Sequence, residues 1–388
     1  RACFMIVSEK NLELAVLAIM FLLLAYTWAG YPLILWLMRK FFVREINRQP
    51  DQNNPKVSII IAARNEETKI AAKLADCTNL EYPPERLEIL VVSDNSTDGT
   101  DEIVKDFAAR DARIHLLAGH GSLGKSGAQN LAVSNASGDL LFFTDADTRT
   151  RPDTLKILME NFADPQVGLV TADVYLGEPG NAVAKGQGMY WRFELFLRKL
   201  ESELGILATG SGQALLMRKE LYRPIPVVYG DDCVLPLDVR LQGYRVVQDT
   251  RVIVYDIMPN SIHGELKARV RMTARNWTGT LSKPGVLNPF RFPLTAWGLI
   301  SHKLLRWLTP FFLAVLLAAN ILLSLRGDWK LLCALQVAFY AAALIGWLRA
   351  RKGAPAWVFA YPFAFCLANV GFLLGMVKVV RGQKIASY

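Results

Sequence analysis

Four long apolar segments constrain the fold of this chain more than any other feature. One covers residues 14–38, and three more cover residues 304–325, 331–348 and 357–380. Each is long enough for a helix to cross the ~30 Å hydrocarbon core of a bilayer. A cleaved signal peptide is the alternative for the first segment. Its apolar core would be shorter, and no clear small-residue cleavage site is present, so we expect a retained anchor.

The residues between these segments have the pattern of a soluble α/β domain, in which short apolar runs alternate with polar, turn-forming stretches. We therefore predict three parts: a transmembrane anchor with a basic linker (1–49), a cytosolic domain (50–284), and a region with an interfacial helix and three transmembrane helices (285–388). Residues 290–302 form the predicted interfacial helix, because Trp297 lies there among apolar residues.

The positions of the basic residues predict the orientation in the membrane. Arg39, Lys40 and Arg44 follow the first apolar segment, and Arg349 and Arg351 lie between the third and the fourth. By the positive-inside rule both places face the cytosol, so we expect a multi-pass protein of the inner or plasma membrane with its soluble domain in the cytosol. The net charge of +9 is largely juxtamembrane. Its expected partner is therefore the lipid bilayer, and no nucleic acid is expected.

Three apolar runs in the middle domain predict a mostly parallel sheet. Val57–Ala63, Leu87–Ser93 and residues 140–143 read as buried strands, and each is followed by polar residues and a helical segment. Ligands of such α/β sheets bind at the carboxyl ends of the strands. Polar residues that directly follow these runs are therefore the first candidates for a functional site.

Three carboxylates stand at those strand ends. Asp145 and Asp147, two residues apart, follow the third run, and Asp94 follows the second. Two such carboxylates can share Mg²⁺ or Mn²⁺, which keeps open positions for the oxygens of a diphosphate. A solvated turn after a strand is the alternative for the pair, and a turn-forming role is the alternative for Asp94 beside Asn95 and Ser96. The pattern favours a metal-nucleotide site.

Five motifs occur in order within residues 57–279: Asp94, Gly124-Lys125-x-x-Ala128-x-Asn130, Asp145-x-Asp147, Thr209-Gly210-Ser211-Gly212 and Asp231-Asp232. In this order they closely resemble the motifs of family 2 of the inverting glycosyltransferases, the group that includes cellulose, chitin and hyaluronan synthases. The resemblance implies a nucleotide-sugar-binding domain of the GT-A type, with a mostly parallel sheet, joined to an α-helical transmembrane region. It also implies transfer of a sugar from a UDP-sugar.

The resemblance further implies a role for each motif on the donor side and the acceptor side. Asp94 would contact the base of the UDP-sugar, Lys125 would help to hold the nucleotide, and Asp147 with Asp145 would bind the metal ion. Gly210, Ser211 and Gly212 look like the family's acceptor-side segment, for which an ordinary turn is the alternative.

Asp231 and Asp232 match the family's Glu-Asp-x-x-Leu motif, with Asp231 in place of the usual glutamate. Asp232 takes the position of the catalytic base. Inversion proceeds by one displacement, so a carboxylate must remove the proton of the acceptor hydroxyl as its oxygen attacks C1. Adjacent aspartates at a helix start also serve as capping groups, but capping would occupy only one of the two.

The chain departs from the family pattern after His263. Polymerising members usually carry Gln-x-x-Arg-Trp, whereas this chain has Arg271, Arg275 and Trp277 at a different spacing. On a helix Arg271 and Arg275 share a face and could reach phosphate oxygens, while Trp277 could stack on a sugar. Contact of Arg271 with lipid headgroups is the alternative. The altered motif slightly favours short or single additions over processive synthesis.

We therefore expect a membrane-bound inverting transferase that depends on Mn²⁺ or Mg²⁺ and passes a sugar from a UDP-sugar to a membrane-associated lipid-linked or saccharide acceptor. A processive polysaccharide synthase that also translocates its product is the alternative within this class. A nucleotide-binding membrane receptor without turnover and a transporter are the alternatives outside it. Asp232 argues against both, because pure binding has no need of a base.

Overall fold

A computed structural model of the chain describes residues 2–50, 54–119, 121–176, 182–256, 261–354 and 357–383. The soluble domain is built on one sheet whose spatial order is β3-β2-β1-β4-β6-β5-β7. Its seven strands are β1 (Val57–Ala63), β2 (Leu87–Ser93), β3 (Ile114–Ala118), β4 (Leu140–Thr144), β5 (Val167–Leu176), β6 (Ala214–Arg218) and β7 (Arg245–Asp256).

The sheet is mostly parallel, as predicted. Only β6 runs against its neighbours, pairing antiparallel with β4 on one side and with β5 on the other. The strands predicted at Val57–Ala63 and Leu87–Ser93 are confirmed with the same bounds, and the third extends one residue further, to Thr144. Because β6 is antiparallel, it begins at the edge where β1, β2 and β4 end.

The helices surround this sheet and continue into the apolar segments. They are α1 (Ala2–Ala25), α2 (Tyr31–Phe42), α3 (Ile70–Thr78), α4 (Thr100–Arg110), α5 (Gly124–Asn135), α6 (Thr154–Met159), α7 (Ala182–Glu203), α8 (Asp231–Leu241), α9 (Ile262–Ser282), α10 (Pro293–Leu299), α11 (Leu305–Leu325), α12 (Lys330–Arg351) and α13 (Ala360–Val380).

Helices cover both faces of the sheet, which explains why the central strands are continuous apolar runs. Side chains of β1 alternate between two cores: Ile59 and Ile61 lie in one with Leu74 of α3, and Ile60 lies in the other with Ala128 of α5. Both cores are closed to solvent. The edge of the sheet is the part left open for a site.

Within the described residues, four helical stretches are long and apolar enough to cross a membrane: Asn11–Phe42, Pro293–Leu325, Lys330–Arg351 and Ala360–Val380. The predicted interfacial segment 290–302 is not a separate element, because α10 runs through a π-helical turn, Ile300–Leu304, directly into α11. Its position at the membrane surface stays a prediction. The same holds for the three-part division at residues 49 and 284.

Candidate active site

The predicted site residues converge at the carboxyl edge of the sheet. Thr144, the last residue of β4, pairs with Ala214, the first residue of β6. The Thr144 hydroxyl also donates a 2.9 Å hydrogen bond to the carbonyl of Gln213. Since β6 starts here, the Gly210-Ser211-Gly212 segment lies beside Asp145, although 65 residues separate Asp145 from Gly210 along the chain.

Lys125, in the first turn of α5, joins two of the predicted carboxylates. Its Nζ lies 2.6 Å from Asp145 Oδ1 and 3.1 Å from Asp231 Oδ2. One turn further, Gln129 Nε2 donates a 2.7 Å hydrogen bond to Asp231 Oδ2. A single half-buried ammonium therefore connects the Asp145 loop to the start of α8.

This close packing shifts the ionisation of all three groups. Burial, opposed by Lys125 and reinforced by Asp231, raises the pKa of Asp145 to about 6. Burial would also raise the pKa of Asp231, but Lys125 and the hydrogen bond from Gln129 hold it below its ordinary value. The two carboxylates outweigh burial at Lys125 and raise its pKa. Lys125 is therefore a permanent cation in the site.

Gly212 lies where these groups would crowd a side chain. A Cβ atom at this position would lie 3.2 Å from Lys125 Nζ and 3.2 Å from Asp231 Oδ1. The nitrogen of Gly210 donates a 2.9 Å hydrogen bond to the carbonyl of Asp232. The glycine segment is thus bound to the helix that carries the predicted base.

Asp232 itself has a free carboxylate within the described part of the chain, where no side chain or backbone group bonds to it. Burial and the neighbouring charge of Asp231 raise its pKa. The side chain is partly exposed to a cavity. This is the environment that a general base needs, because the group is accessible and binds a proton more readily than an ordinary aspartate.

The loop that carries Asp145 and Asp147 is supported from below by Lys73 of α3. Its fully buried ammonium donates hydrogen bonds to Thr144 Oγ1 at 2.7 Å and to the Thr148 carbonyl at 3.0 Å. Sequence reasoning missed this residue, because a lysine on a helix is normally solvent-facing. Lys73 is buried because it packs against the end of β4 and the loop that follows, which lie about 70 residues further along the chain.

Asp145 and Asp147 suit a metal ion that binds together with its substrate. Their side chains remain 27% and 33% exposed, so both are accessible from the edge of the sheet. Among the described residues no three His, Cys, Asp or Glu side chains converge on one point. Mg²⁺ at nucleotide sites needs only one or two carboxylates, the other positions being filled by substrate phosphates and water. The pair therefore fits such an ion.

Asp94 lies at the same edge but is fully buried. Its two carboxylate oxygens accept hydrogen bonds from the backbone nitrogens of Leu123 at 2.7 Å and Gly124 at 2.8 Å. In this conformation it fixes the start of α5 and hence the position of Lys125. The contact with a nucleotide base stays a prediction, and it requires the loop before α5 to open.

The predicted arginines project from α9. Arg275 Nη2 donates to the Tyr229 carbonyl and lies 3.3 Å from Ser126 Oγ, so it faces the start of α5. Arg271 is half-buried and has no bonding partner in the described ranges. Burial, with the nearby charge of Arg275, lowers the pKa of Arg271, although Asp145 and Asp232 oppose this. Both guanidinium groups thus lie near enough to the carboxylates of the site to interact with them electrostatically. The contacts of the two arginines with phosphate stay predictions.

A cavity of about 120 Å³ opens beside Asp232. A single water needs only about 10–15 Å³, so the space suits a ligand group. Gly210, Ser211 and Asp232 line it on one side, and Trp307 and Phe372 of the apolar helices line it on the other. Trp277 lies edge-on against Trp307, with ring centroids 5.7 Å apart. The role of Trp277 in acceptor binding stays a prediction, since Trp307 is the ring that lines the cavity.

Sequence reasoning also missed a buried ionic cluster next to this cavity. Glu194 of α7 ion-pairs with Arg198, with Lys303 and with Arg306. Arg198 in turn donates a 2.7 Å hydrogen bond to Ser211 Oγ, which connects the cluster to the glycine segment. One indication of such a site was present in the sequence: the basic residues within 302–306 stand at the start of an apolar helix, where charged residues are rare.

The sequence profile of Glycosyl transferase family 2 matches residues 58–225. Among curated proteins, the chain is 27% identical over 246 residues to poly-beta-1,6-N-acetyl-D-glucosamine synthase of Staphylococcus aureus, covering 60% of this chain and 58% of that protein. It is 28% identical over 180 residues to beta-monoglucosyldiacylglycerol synthase of Nostoc sp., covering 46% of this chain and 38% of that protein. The chain thus spans under two thirds of the length of these relatives.

One solved structure resembles the chain over most of its length. A mannosyltransferase from Pyrobaculum calidifontis, in complex with GDP-Man and Mn²⁺, is 25% identical and superposes with a TM-score of 0.68. The match covers 92% of this chain and 99% of that one. The likeness includes the apolar helices as well as the sheet, and it confirms the expected α/β domain of the GT-A type joined to a helical region.

Proposed function

We propose that the protein is a membrane-integrated inverting glycosyltransferase, because residues 58–225 match the sequence profile of Glycosyl transferase family 2. It takes a sugar from a cytosolic nucleotide sugar and transfers it to a membrane-associated lipid-linked or saccharide acceptor. The observation that carries this proposal is the position of Asp232. This carboxylate has a raised pKa and faces a cavity, directly beside the Lys125 and Asp145 pair at the edge of the sheet.

The geometry supports the following division of labour. The acceptor enters the cavity so that one hydroxyl lies at Asp232. Its oxygen forms the bond to C1 while the bond from C1 to the diphosphate breaks, and Asp232 takes the hydroxyl proton. Lys125 and Arg275 lie where they can donate charge-assisted hydrogen bonds to the departing diphosphate. Gly212 leaves room for these groups to approach one another.

Asp145 and Asp147 would hold a divalent ion, Mn²⁺ or Mg²⁺. When bound, such an ion neutralises charge that develops on the diphosphate. Lys73 keeps the two carboxylates in place by bonding the backbone and the hydroxyl on either side of them. The Mn²⁺ in the Pyrobaculum calidifontis mannosyltransferase complex supports the use of a divalent ion.

The donor is proposed to be a UDP-sugar, on the resemblance of the Asp94 and Lys125 motifs. The Pyrobaculum calidifontis enzyme was captured with GDP-Man, so a GDP-sugar is the specific alternative. The two curated relatives are named as a polysaccharide synthase and a glycolipid synthase. Their names support an acceptor at the membrane, and the four apolar helices support a multi-pass protein. The position of the domain of residues 50–284 in the cytosol is proposed on the basic residues that flank the apolar segments.

The decisive experiment incubates the purified, detergent-solubilised protein with a panel of UDP- and GDP-sugars and Mn²⁺ and measures release of the nucleoside diphosphate. Asp232→Asn is the inactive comparison, and Asp106→Asn on the exposed face of α4 is the matched control. Release from one donor by the wild type and the Asp106 variant, but not by the Asp232 variant, is the expected result. Donor binding without release would favour a receptor instead. Sizing the product at low donor conversion separates single addition from processive synthesis.

A further inference from the structure

We propose that the cavity beside Asp232 binds a phosphate group on an amphiphilic acceptor, whose apolar part lies against the apolar helices. This inference rests on the proposed function, since it takes Asp232 to mark the acceptor side of the site. It adds the chemical class of the acceptor: a phosphate-bearing lipid or lipid-linked saccharide rather than a neutral glycan.

The first observation is the balance of charge around the cavity. Four cationic side chains line it, namely Arg198, Arg269, Lys303 and Arg306, against three carboxylates, namely Asp232, Glu194 and Glu265. Arg269 is paired with Glu265. The other three cations share the single carboxylate of Glu194. Positive charge is therefore in excess, and proton uptake by Asp232 would increase the excess.

The second observation is that this excess charge is buried. The side chains of Arg198, Lys303 and Arg306 are only 6%, 8% and 3% exposed. Water can therefore do little to compensate them, and buried charge without a partner is unfavourable. Within the described ranges, Nε and Nη1 of Arg306 have no hydrogen-bond acceptor. An anion in the adjacent cavity would supply the missing negative charge.

The third observation is that the local geometry places Lys303 beside Glu194. His302 and Lys303 lie in the π-helical turn Ile300–Leu304. Single π turns inside α-helices are rare and occur frequently at functional sites. Both residues lie against Glu194, with His302 Nε2 at 3.1 Å from Oε2 and Lys303 Nζ at 2.6 Å from Oε1. The junction between α10 and α11 thus carries Lys303, and Arg306 follows in the first turn of α11.

The fourth observation concerns the apolar side of the cavity. Trp307 and Phe372 belong to the stretches Pro293–Leu325 and Ala360–Val380, both long and apolar enough to cross a membrane. Tyr190 carries the guanidinium groups of Arg269 and Arg306 over its ring, at 4.3 and 5.3 Å from the centroid. The site therefore presents guanidinium and ammonium groups next to aromatic rings. Phosphate is an anion that both arginine and lysine bind, and an acyl or isoprenoid chain fits the rings.

The phosphate in this arrangement binds and does not react. The bond that forms joins an acceptor hydroxyl oxygen to C1 of the donor sugar, the bond that breaks joins C1 to the diphosphate, and the proton passes to Asp232. No bond to the acceptor phosphate forms or breaks. The group serves to orient the hydroxyl.

The test uses three soluble probes on the full-length, detergent-solubilised protein: hexyl phosphate, hexyl glucoside and inorganic phosphate. Isothermal titration calorimetry measures each dissociation constant. We expect hexyl phosphate to bind at least 10-fold more tightly than either of the others. Equal binding of hexyl glucoside would refute the anionic site. Equal binding of inorganic phosphate would refute the amphiphilic acceptor.

A matched pair of variants tests the location. Met272 lines the cavity and is 41% exposed, so its replacement does not disturb the buried cluster. Met272→Glu should bind hexyl phosphate at least 5-fold more weakly than Met272→Gln, because only the former adds negative charge. Wild-type affinity for the nucleotide in both variants would show that the donor-binding part of the site is still folded. Equal binding of the probe by the two variants would overturn the assignment.

The outcomes separate this inference from the proposed function. Charge-dependent binding of hexyl phosphate without turnover of any nucleotide sugar would retain the phosphate site and refute the transferase. Turnover without selective binding of hexyl phosphate would retain the transferase and refute the phosphate site.

Discussion

Lys125 Nζ lies 2.6 Å from Asp145 Oδ1, so one of the two proposed metal ligands is already paired with a half-buried cation. Asp147 is less engaged, since its nearest cation is Lys69 Nζ at 3.5 Å. A divalent ion would therefore depend more on Asp147 than on Asp145. This difference gives the first prediction.

Asp147→Asn should remove most turnover and weaken the apparent affinity for Mn²⁺, because a neutral amide replaces the more available charged ligand. The measurement is a Mn²⁺ titration of nucleoside diphosphate release, with Asp106→Asn as the control for surface charge. Full activity of the wild type in EDTA would contradict the proposal of metal dependence.

Asp232→Asn should lower kcat by roughly 10²-fold or more while leaving nucleotide affinity near that of the wild type, because a general base acts only in the chemical step. Calorimetry with the nucleoside diphosphate provides the second readout. If the variant no longer bound the nucleotide, the residue would belong to the donor site and the assignment as base would be wrong.

The pH dependence of kcat should report the pKa of Asp232. Burial and the neighbouring Asp231 raise this pKa above the ordinary value of about 3.9. Below the raised pKa the base is protonated and inactive, so activity appears as the pH rises and is lost as it falls. Asp231→Asn removes the negative neighbour and should shift the acidic limb of the profile to lower pH. An unchanged or upward-shifted limb would contradict this account.

Lys73→Met should weaken Mn²⁺ binding by roughly 10-fold, as loss of a group that orients metal ligands commonly does. The thermal stability should change less, since the apolar replacement removes the cost of burying a charge. Lys105→Met, on the exposed face of α4, is the control. If Lys73→Met unfolded the protein without a separate effect on Mn²⁺ affinity, Lys73 would have a purely structural role.

Arg275→Ala should reduce transfer to any acceptor and hydrolysis of the donor alike, because the guanidinium is proposed to stabilise the departing diphosphate. Trp277→Ala should mainly weaken use of the acceptor, either directly or through Trp307, and leave hydrolysis to water measurable. Comparing KM for the acceptor with the hydrolysis rate in the two variants separates these effects. Equal loss of both activities in the Trp277 variant would remove it from the acceptor side.

Much of the fold was predictable because local and global preferences agree. The β-branched, apolar runs predicted the strands Val57–Ala63 and Leu87–Ser93 with their exact bounds. Since ligands of α/β sheets bind at the carboxyl ends of the strands, the sequence also predicted that Asp145 lies at that edge of the sheet. The reversed direction of β6 was not predictable, because antiparallel insertion leaves no local trace in a short buried strand. Lys73 and Glu194 were missed for a related reason: their partners lie about 70 and 110 residues away along the chain.

The ionic cluster at Glu194 also links the candidate site to the apolar helices. Glu194 holds Lys303 and Arg306 at the start of one apolar helix, while Arg198 holds Ser211 in the site. Tyr31 of the first apolar helix donates a 2.6 Å hydrogen bond to Glu201 on the same face of α7. If these helices cross the bilayer as proposed, the reaction centre is anchored at a constant depth. The acceptor must then come to that depth, which would select molecules by the distance between their anchoring group and their reacting hydroxyl.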